Sequence, residues 1–266
     1  EISECLVGSE MCIRDSFATE GTEAHALCEF RLKEALGIPA ENPISTLTQY
    51  SEEMEDCATG YAAFVTETVE KARQTCRDPV VLIEQRLDYS NYVRDGFGTG
   101  DCIVVSDGGL HIIDYKHGRG VLVEAEENPQ MKLYALGALE LFDGIYDIET
   151  VSMTVYQPRR GNIGTYTVSK SDLLDWADQV LKPIAELAYC GEGQFACGEW
   201  CQFCKAKTDC RKRAEANMVL AKYDFADPPL LTDAEIEDVL SKVDGLVSWA
   251  NDVKEFAFQA AMSGKS

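Results

Sequence analysis

The amino-acid sequence predicts an α/β fold in which a mixed central sheet is flanked by helices, with a helical extension at the C-terminal end. Helical and strand-like patterns follow one another in the order helix, helix, strands, helix, strands, helix, which is typical of this class. The strand-like runs occur in pairs joined by short turn signals, so hairpins are expected within the sheet. With 266 residues, of which 45% are hydrophobic and 26% charged, the chain can bury a sizeable core.

Helices are predicted where apolar residues recur at helical spacing behind a capping residue. Thr22 can cap the first helix, and Pro129 suits the first turn of the third because the N–H that proline lacks would have no partner there. Thr232 and Glu235 have the spacing of a capping box, which predicts a final amphipathic helix. The predicted helices cover residues 22–37, 51–75, 129–142 and 169–189, followed by the one that begins after residue 232.

Strands are predicted from short runs that are rich in β-branched residues and bounded by turn residues. Gly108 and Gly109 follow Asp107 as a turn between the second and third strands, and a second hairpin closes around residues 159–162. The predicted strands cover residues 80–89, 101–107, 110–116, 151–157 and 164–169.

The net charge of −22, from 46 acidic and 24 basic residues, bears on the class of partner. Such acidity argues against a protein that passively coats nucleic acid, because phosphate binding draws on clustered Lys and Arg. It does not exclude an enzyme that meets DNA through a local basic patch and metal ions. The apolar runs all fall short of the ~18 residues that span a bilayer, so no membrane partner is expected.

Residues 1–16, EISECLVGSEMCIRDS, differ in character from the rest of the chain. They show neither a helix period nor a strand period, and they lack the basic start and apolar centre of a signal peptide. The stretch from Leu6 to Asp15 resembles the translation of a sequencing-library transposon adapter. We therefore expect this segment to be non-native, with native residues upstream of Phe17 missing, and exclude it from the prediction of the fold.

Three charged residues lie where two predicted strands would meet. Asp101 begins the second strand, and Asp114 and Lys116 end the third in the run IIDYK. Because side chains alternate along a strand, Asp114 and Lys116 face the same side. Paired carboxylates suit Mg²⁺ or Mn²⁺, and a neighbouring ammonium can orient a water or stabilise charge on a phosphate under attack. The pattern indicates metal-assisted phosphodiester hydrolysis; the alternative is an ordinary Asp–Lys pair on an exposed hairpin.

Further polar residues could complete such a site. Gln130 and Tyr134 are four positions apart and share one face of the third helix, among apolar neighbours. His25 lies on the first helix and could bind a metal in its neutral form, although a half-buried structural histidine is the simpler explanation for it alone. Glu84 is a further candidate carboxylate, or it pairs with Arg86 at the edge of the sheet.

Four cysteines lie close together near the C-terminal end, as Cys197-x3-Cys201-x2-Cys204-x5-Cys210. Four thiols at this spacing can close a tetrahedral Zn²⁺ site or bind an iron–sulfur cluster. Reduced cysteines without a ligand are the alternative. Disulfides of a secreted chain are disfavoured, because the other cysteines outside residues 1–16 fall mostly at apolar positions of helices and strands.

Taken in order, the motifs resemble the nuclease core of the PD-(D/E)XK superfamily, in its RecB-like branch. They are EGTEAH ending at His25, GTGD ending at Asp101, IIDYK with Asp114 and Lys116, and the pair Gln130 and Tyr134. The stretch DYKHGRGVLVEAEENPQMKLYALGALELF is similar to a family carried by phages and prophages that is usually labelled only as a domain of unknown function. The resemblance covers about residues 17–260, and it departs from the commoner pattern at Asp114, where most members have Glu.

The resemblance implies a restriction-endonuclease-like core and a Mg²⁺- or Mn²⁺-dependent DNA nuclease. The implied roles are metal binding for His25, Asp101 and Asp114, service to the attacking water for Lys116, and positioning of DNA or metal-site side chains for Gln130 and Tyr134. The implied setting is phage DNA replication, recombination or processing in the cytoplasm of a bacterial host. The expected partners are DNA and other phage replication or recombination proteins.

The C-x2-C-x5-C part of the cysteine run resembles the C-terminal staple of RecB-like nucleases that carry a four-iron four-sulfur cluster. It implies Cys201, Cys204 and Cys210 as ligands of a structural cluster, with Zn²⁺ as the alternative metal. In such proteins the fourth thiolate usually comes from upstream of the first helix, where the adapter-like segment lies here. Cys197 is therefore expected as its substitute or as the true fourth ligand, ahead of Cys190.

The expected organisation is a non-native segment at 1–16, a nuclease core at 17–190, a cysteine-rich staple at 191–213 and a truncated helical extension at 214–266. Two other functions stay open on the sequence alone. One is a non-catalytic DNA-binding or assembly module on the same fold. The other is a zinc-stapled interaction protein that does not touch nucleic acid. Candidate phosphate contacts are Lys116, Arg119, Lys132, Arg159, Arg160 and the basic residues beside the cysteines.

Overall fold

The computed structural model describes residues 2–198, 200–201, 204–220 and 231–264, with only the backbone for residues 2–18. The chain divides into two compact units, Glu1–Gly191 and Glu192–Ser266. The first unit contains the sheet and the predicted site. The second unit contains the cysteine run and the C-terminal helices.

A five-stranded mixed sheet forms the centre of the first unit, with the strands side by side in chain order. β1 to β3 are antiparallel, β4 lies parallel to β3, and β5 is antiparallel to β4. The strands are β1 (Val80–Asp88), β2 (Phe97–Ser106), β3 (Gly108–Tyr115), β4 (Ile148–Gln157) and β5 (Asn162–Ser169). The predicted mixed α/β fold, with a central sheet and flanking helices, is therefore confirmed.

The first helix is longer than the sequence pattern predicts. α1 spans Ile2–Ala35, so Thr22 lies in its interior and the predicted start at Thr22 is wrong. The segment 2–35 contains no proline to interrupt a helix. Once a helix has nucleated, each further residue that adopts the helical conformation adds one backbone hydrogen bond, so the helix can extend beyond Thr22. α2 (Glu52–Arg73) starts as predicted, with the Ser51 side chain accepting from the backbone N–H of Met54.

The two faces of the sheet carry separate hydrophobic clusters. On one face, α1 and α2 bury residues such as Leu27 and Val65 against Val104 and Tyr115. On the other face, α3 (Pro129–Phe142) buries Leu136 and its neighbours against the sheet. Asn128 caps α3 by accepting from the backbone N–H groups of residues 130 and 131. The parallel pair β3–β4 is thus joined by a connection that contains α3.

The single helix predicted for residues 169–189 is interrupted. It consists of α4 (Lys170–Trp176), a π-helical turn at Ala177–Leu181, and α5 (Lys182–Cys190). Pro183 supplies the physical reason, since its ring excludes the carbonyl one turn back and it has no N–H to donate.

The second unit contains three described helices, α6 (Arg211–Met218), α7 (Asp233–Leu240) and α8 (Val243–Met262). The predicted capping box is confirmed, because the side chains of Thr232 and Glu235 each bond the other's backbone N–H. The predicted final helix is divided into α7 and α8 at Lys242, whose φ of −125° is not helical.

Candidate metal centre

The β2–β3 hairpin brings Asp101 and Asp114 to adjacent positions, just beyond the last paired residues of the two strands. The last antiparallel pair at this end joins Cys102 and Ile113, and the two aspartates come next in the same register. The backbone N–H of Tyr115 donates to Oδ2 of Asp101 at 2.7 Å. This bond fixes the Asp101 carboxylate beside the end of β3 and leaves its second oxygen for His25 of α1.

His25 reaches this carboxylate from α1. Its helical neighbours Ala24 and Leu27 are fully buried, which holds this part of α1 against the sheet. Nδ1 of His25 lies 3.3 Å from Oδ1 of Asp101, and its ring packs edge-on against Tyr115. Burial acts to lower the pKa of His25, but the hydrogen bond and charge of Asp101 outweigh burial, so the pKa is raised.

Glu84 joins this pair from β1. One ligand atom each from His25, Glu84 and Asp101 lies within 4.8 Å of the other two. The backbone of Glu84 has a φ of +51°, a left-handed value that is uncommon for a residue other than glycine. Burial, followed by the charge of Asp101, raises the pKa of Glu84 to about 7. From the sequence alone, Glu84 was either a candidate ligand or a partner of Arg86. The left-handed backbone that brings it to His25 and Asp101 cannot be recognised from the order of the residues.

The left-handed conformation of Glu84 also interrupts the regular alternation of side chains between the two faces of the sheet along β1. Ile83 packs in the cluster under α1 and α2, whereas Leu87 packs in the cluster under α3. Residues four apart in a regular strand would share one face, so the strand turns over between these two positions. Glu84 lies at that change of phase, opposite Asp101.

Asp114 and Lys116 form a second, adjoining element of the site. Nζ of Lys116 lies 2.8 Å from Oδ2 of Asp114, and the Asp114 side chain is only 4% exposed. Among the described residues, the Lys116 ammonium is the only ion-pair partner of that buried Oδ2. Burial raises the pKa of Asp114, and the charge of Lys116 opposes the rise only in part. For Lys116, burial lowers the pKa but the charge of Asp114 outweighs it, so the pKa is raised.

Gln130 and Tyr134 meet on α3, as their spacing predicts. Nε2 of Gln130 donates to the Tyr134 hydroxyl at 2.8 Å. Tyr134 lies directly over Gly98 of β2, where an added Cβ would come within 2.5 Å of the Tyr134 ring. Glycine in GTGD thus lets an aromatic ring approach the strand next to the site.

The structure brings the predicted site residues into two adjoining groups. His25 and Asp101 are joined by Glu84, and within the described residues Asp114 lies outside this group of close ligand atoms. One imidazole nitrogen and two carboxylates suit a divalent cation that accepts nitrogen and oxygen ligands. The buried carboxylate of Asp114, which is paired with Lys116, is a further oxygen donor at the edge of the group. The residues present therefore fit a Mg²⁺ or Mn²⁺ ion, the latter accepting imidazole more readily.

Several candidate phosphate contacts are already paired. Arg119 bonds Glu53, and Arg159 lies 2.8 Å from Glu20 and 3.2 Å from Glu53. Lys132 is buried and lies 2.6 Å from Glu127. In the structure these side chains bond carboxylates rather than standing free beside the site.

His117 is a buried residue that the sequence did not single out. Its Nδ1 lies 2.8 Å from the Tyr115 hydroxyl and its Nε2 lies 3.4 Å from Glu20. Burial and the nearby charge of Arg159 lower the pKa of His117. The residue ties the end of β3 to α1 next to the site, a contact that no local pattern signals.

The cysteine run lies in the second unit. Cys197, Cys201 and Cys210 are partly buried and Cys204 is exposed, all with free thiols. The pKa of Cys197 is raised, first by burial and then by the nearby thiols of Cys201 and Cys210. Within the described residues, no three of these sulfurs lie within 4.8 Å of one another. A single tetrahedral Zn²⁺ would need sulfurs about 3.8 Å apart, given Zn–S bonds of about 2.3 Å.

A buried ion pair anchors the segment that carries these cysteines. Arg213 and Asp252 are almost fully buried, and Nη1 of Arg213 lies 2.7 Å from Oδ2 of Asp252. Arg213 also donates to the backbone carbonyl of Lys207, whose own ammonium lies 2.6 Å from Asp252. The loop between Cys204 and Cys210 is thereby fastened to α8.

No helix in the described part of the chain is long and apolar enough to cross a membrane. Together, the fold and the site define a mixed α/β protein with a candidate divalent-cation centre at the edge of its β2–β3 hairpin. The chain belongs to the family described as "Protein of unknown function (DUF2800)", whose family model matches residues 13–266. The expected similarity to a family labelled only as a domain of unknown function is consistent with this match.

Among solved structures, the chain is similar to one described as "Crystal structure of SSO0001". The sequence identity is 15%, the TM-score is 0.29, and the match covers 70% of this chain and 95% of that chain.

Proposed function

We propose that this protein is a metal-dependent DNA nuclease that hydrolyses phosphodiester bonds. The observation that carries the proposal is the convergence of His25, Glu84 and Asp101 beside a buried aspartate that is paired with a lysine. A bound Mg²⁺ or Mn²⁺ would polarise a phosphodiester oxygen and lower the pKa of a water.

The chain's own residues divide the remaining work. His25, Glu84 and Asp101 present one nitrogen and two carboxylates as ligands, with Asp114 as a further oxygen donor. Lys116, held by Asp114, places an ammonium where it can orient a water and stabilise negative charge on the attacked phosphate. Gln130 and Tyr134 present an amide and a hydroxyl at the same edge, where they position DNA or the site's side chains.

We further propose that the protein is a RecB-like member of the PD-(D/E)XK superfamily with a restriction-endonuclease-like core. Two features support it: the antiparallel β2–β3 hairpin, and the parallel strand β4 that follows α3. Asp101 and the Asp114–Lys116 pair lie on this hairpin, and Gln130 and Tyr134 lie on the connecting helix. The proposed partners are DNA and phage replication or recombination proteins. The proposed location is the cytoplasm of a bacterial host.

The cysteine-rich staple is proposed to hold a structural four-iron four-sulfur cluster, with Zn²⁺ as the alternative. The grouping of Cys197 with Cys201 and Cys210 supports a shared ligand. An absorbance spectrum of anaerobically purified protein, with iron and zinc analysis, decides between the two metals.

The test of nuclease activity is cleavage of end-labelled single- and double-stranded DNA with Mg²⁺, with Mn²⁺ and with EDTA. Wild-type protein should cleave with either metal and not with EDTA. Asp114→Asn and Lys116→Ala should lose cleavage while keeping the wild-type circular-dichroism spectrum and melting temperature. The exposed residues Asp175 and Lys254 supply matched controls, Asp175→Asn and Lys254→Ala, which should cleave normally.

Full Mn²⁺-dependent cleavage by either site variant would refute the assignment. If wild-type protein retained DNA but cleaved none with any divalent metal, the non-catalytic module would be favoured. If it failed to bind DNA even at low salt, an interaction protein without nucleic acid would be favoured.

A further inference from the structure

An exposed aromatic ring lies beside the metal centre at the start of β2. Phe97 is 57% exposed, although large aromatic side chains are usually buried at least in part. The guanidinium carbon of Arg86 lies 4.1 Å from the centre of the Phe97 ring. Arg86 therefore stacks on Phe97 and does not make the ion pair with Glu84 that the sequence left open.

Strand geometry places this pair on the same face as the His25–Glu84–Asp101 group. Leu87 packs under α3, so its neighbour Arg86 projects from the opposite face, towards the side of α1. Gly98 faces Tyr134 of α3, so its neighbour Phe97 also projects from the opposite face.

The pairing register sets the distance between the two features. Arg86 pairs with Thr99 and Asp88 pairs with Phe97 in the β1–β2 ladder. Asp101 is four residues beyond Phe97 along the same strand, or about 13 Å at the usual rise. Arg86, Thr99 and Phe97 are all exposed, so an open strip leads outward along the strands from the metal centre.

The charge on this strip contrasts with the rest of the surface. The protein carries a net charge of −22, and most arginines of the first unit are bonded to carboxylates or carbonyls. Within the described residues, the Arg86 guanidinium has no carboxylate within ion-pair distance and stacks on the ring instead. The exposed Asp88 lies nearby on β1, and its pKa is lowered first by its hydrogen bonds to Ser90 and also by the charge of Arg86. An aromatic face with a guanidinium stacked on it is the combination that holds an unpaired base and its phosphate.

We infer that Phe97 and Arg86 form a stacking ledge for an unpaired nucleobase, so that the substrate strand is single-stranded next to the metal centre. This inference rests on the proposed nuclease function and adds its substrate class. A base inside a duplex is stacked on its neighbours and cannot offer its face to the ring, whereas an unpaired base can. The ledge therefore selects single-stranded DNA or a frayed end over an intact duplex.

The test measures binding of fluorescein-labelled oligothymidylate and of a labelled blunt hairpin duplex by anisotropy, with Ca²⁺ in place of Mg²⁺. Phe97→Ala should weaken oligothymidylate binding about tenfold or more, since one base–aromatic stack is lost, and should leave duplex binding unchanged. Phe97→Trp should retain the wild-type affinity. The control is Phe258→Ala, which removes a phenylalanine that is 59% exposed on α8 and should change neither affinity.

A second readout separates this inference from the proposed function. Wild-type protein and Phe97→Ala should cleave an end-labelled oligomer of abasic tetrahydrofuran phosphates equally with Mn²⁺, because that substrate has neither a base nor another aromatic ring to stack on Phe97. Equal oligothymidylate affinities for wild type and Phe97→Ala, or no binding by wild type, would overturn the ledge. If wild-type protein hydrolysed no phosphodiester with Mn²⁺, the proposed nuclease function itself would be overturned.

Discussion

Glu84 provides a quantitative test of the electrostatics of the metal centre. Its carboxyl has a pKa of about 7 in the folded protein, against an ordinary value of 4.5. A difference of this size corresponds to about 3 kcal/mol. Because the side chain is only half-buried, solvent screening reduces the effect to ~1–2 kcal/mol. The folded pKa lies above the unfolded pKa, so the associated stability is present below the unfolded pKa and is lost as the pH rises through about 7.

Glu84→Gln keeps the shape of the side chain and removes its charge. Without metal, the variant should be more stable than wild type by ~1–2 kcal/mol at about pH 8.5, and the gain should shrink by ~1 kcal/mol at about pH 5.5. Urea denaturation in EDTA at both pH values measures this difference. Adding Mn²⁺ should reverse the order, because wild type binds the ion more tightly and is stabilised by mass action.

The control is Glu149→Gln, which removes the charge of an exposed strand glutamate on β4 and should change stability little at either pH. A Glu84→Gln variant that is no more stable than wild type in EDTA at high pH would show that the pKa of Glu84 is not raised in the folded protein. Equal stabilisation of wild type and variant by Mn²⁺ would remove Glu84 from the metal site.

Three further predictions concern other parts of the structure. His111, which bonds Thr154 at 2.7 Å, has a pKa that burial lowers to about 4; stability is therefore lost as the pH falls from 6.5 through 4. His111→Gln should remove about 1 kcal/mol of that loss at about pH 5.5 in urea denaturation, and an unchanged acid sensitivity would contradict it. Gly98→Ala should lower stability by ~1–3 kcal/mol and slow DNA cleavage without changing Mn²⁺ affinity; normal cleavage would show that Tyr134 is not positioned by this contact. Asp252→Asn leaves the Arg213 charge buried and should destabilise the second unit by ~3 kcal/mol with loss of bound iron or zinc, as measured by thermal melting and metal analysis; a wild-type melt would contradict it.

Most elements of the fold follow from local patterns in the sequence. The strands of both hairpins, the α3 helix behind Pro129 and the capping box at Thr232 appear close to their predicted positions, because period-2 runs and capping residues act locally. β2 begins at Phe97 rather than at Asp101. The two glycines of GTGD have low strand propensity, and pairing with β1 overrides it.

The candidate site was predictable only in part, and for a physical reason. Asp114 and Lys116 are close in sequence, and strand alternation alone predicts that they share a side. Glu84 joins His25 and Asp101 through a left-handed backbone and a cross-strand register, neither of which leaves a mark in a single sequence. His117 likewise gains its partners only after α1 packs beside the end of β3.

The most direct test of the metal centre is a crystal soaked in Mn²⁺, with anomalous scattering data collected at the manganese edge. We expect one strong peak bonded to a ring nitrogen of His25 and to carboxylate oxygens of Glu84 and Asp101, with Asp114 close beside it. A well-ordered site without a manganese peak, or a peak held by other residues, would show that His25, Glu84 and Asp101 do not form a metal centre.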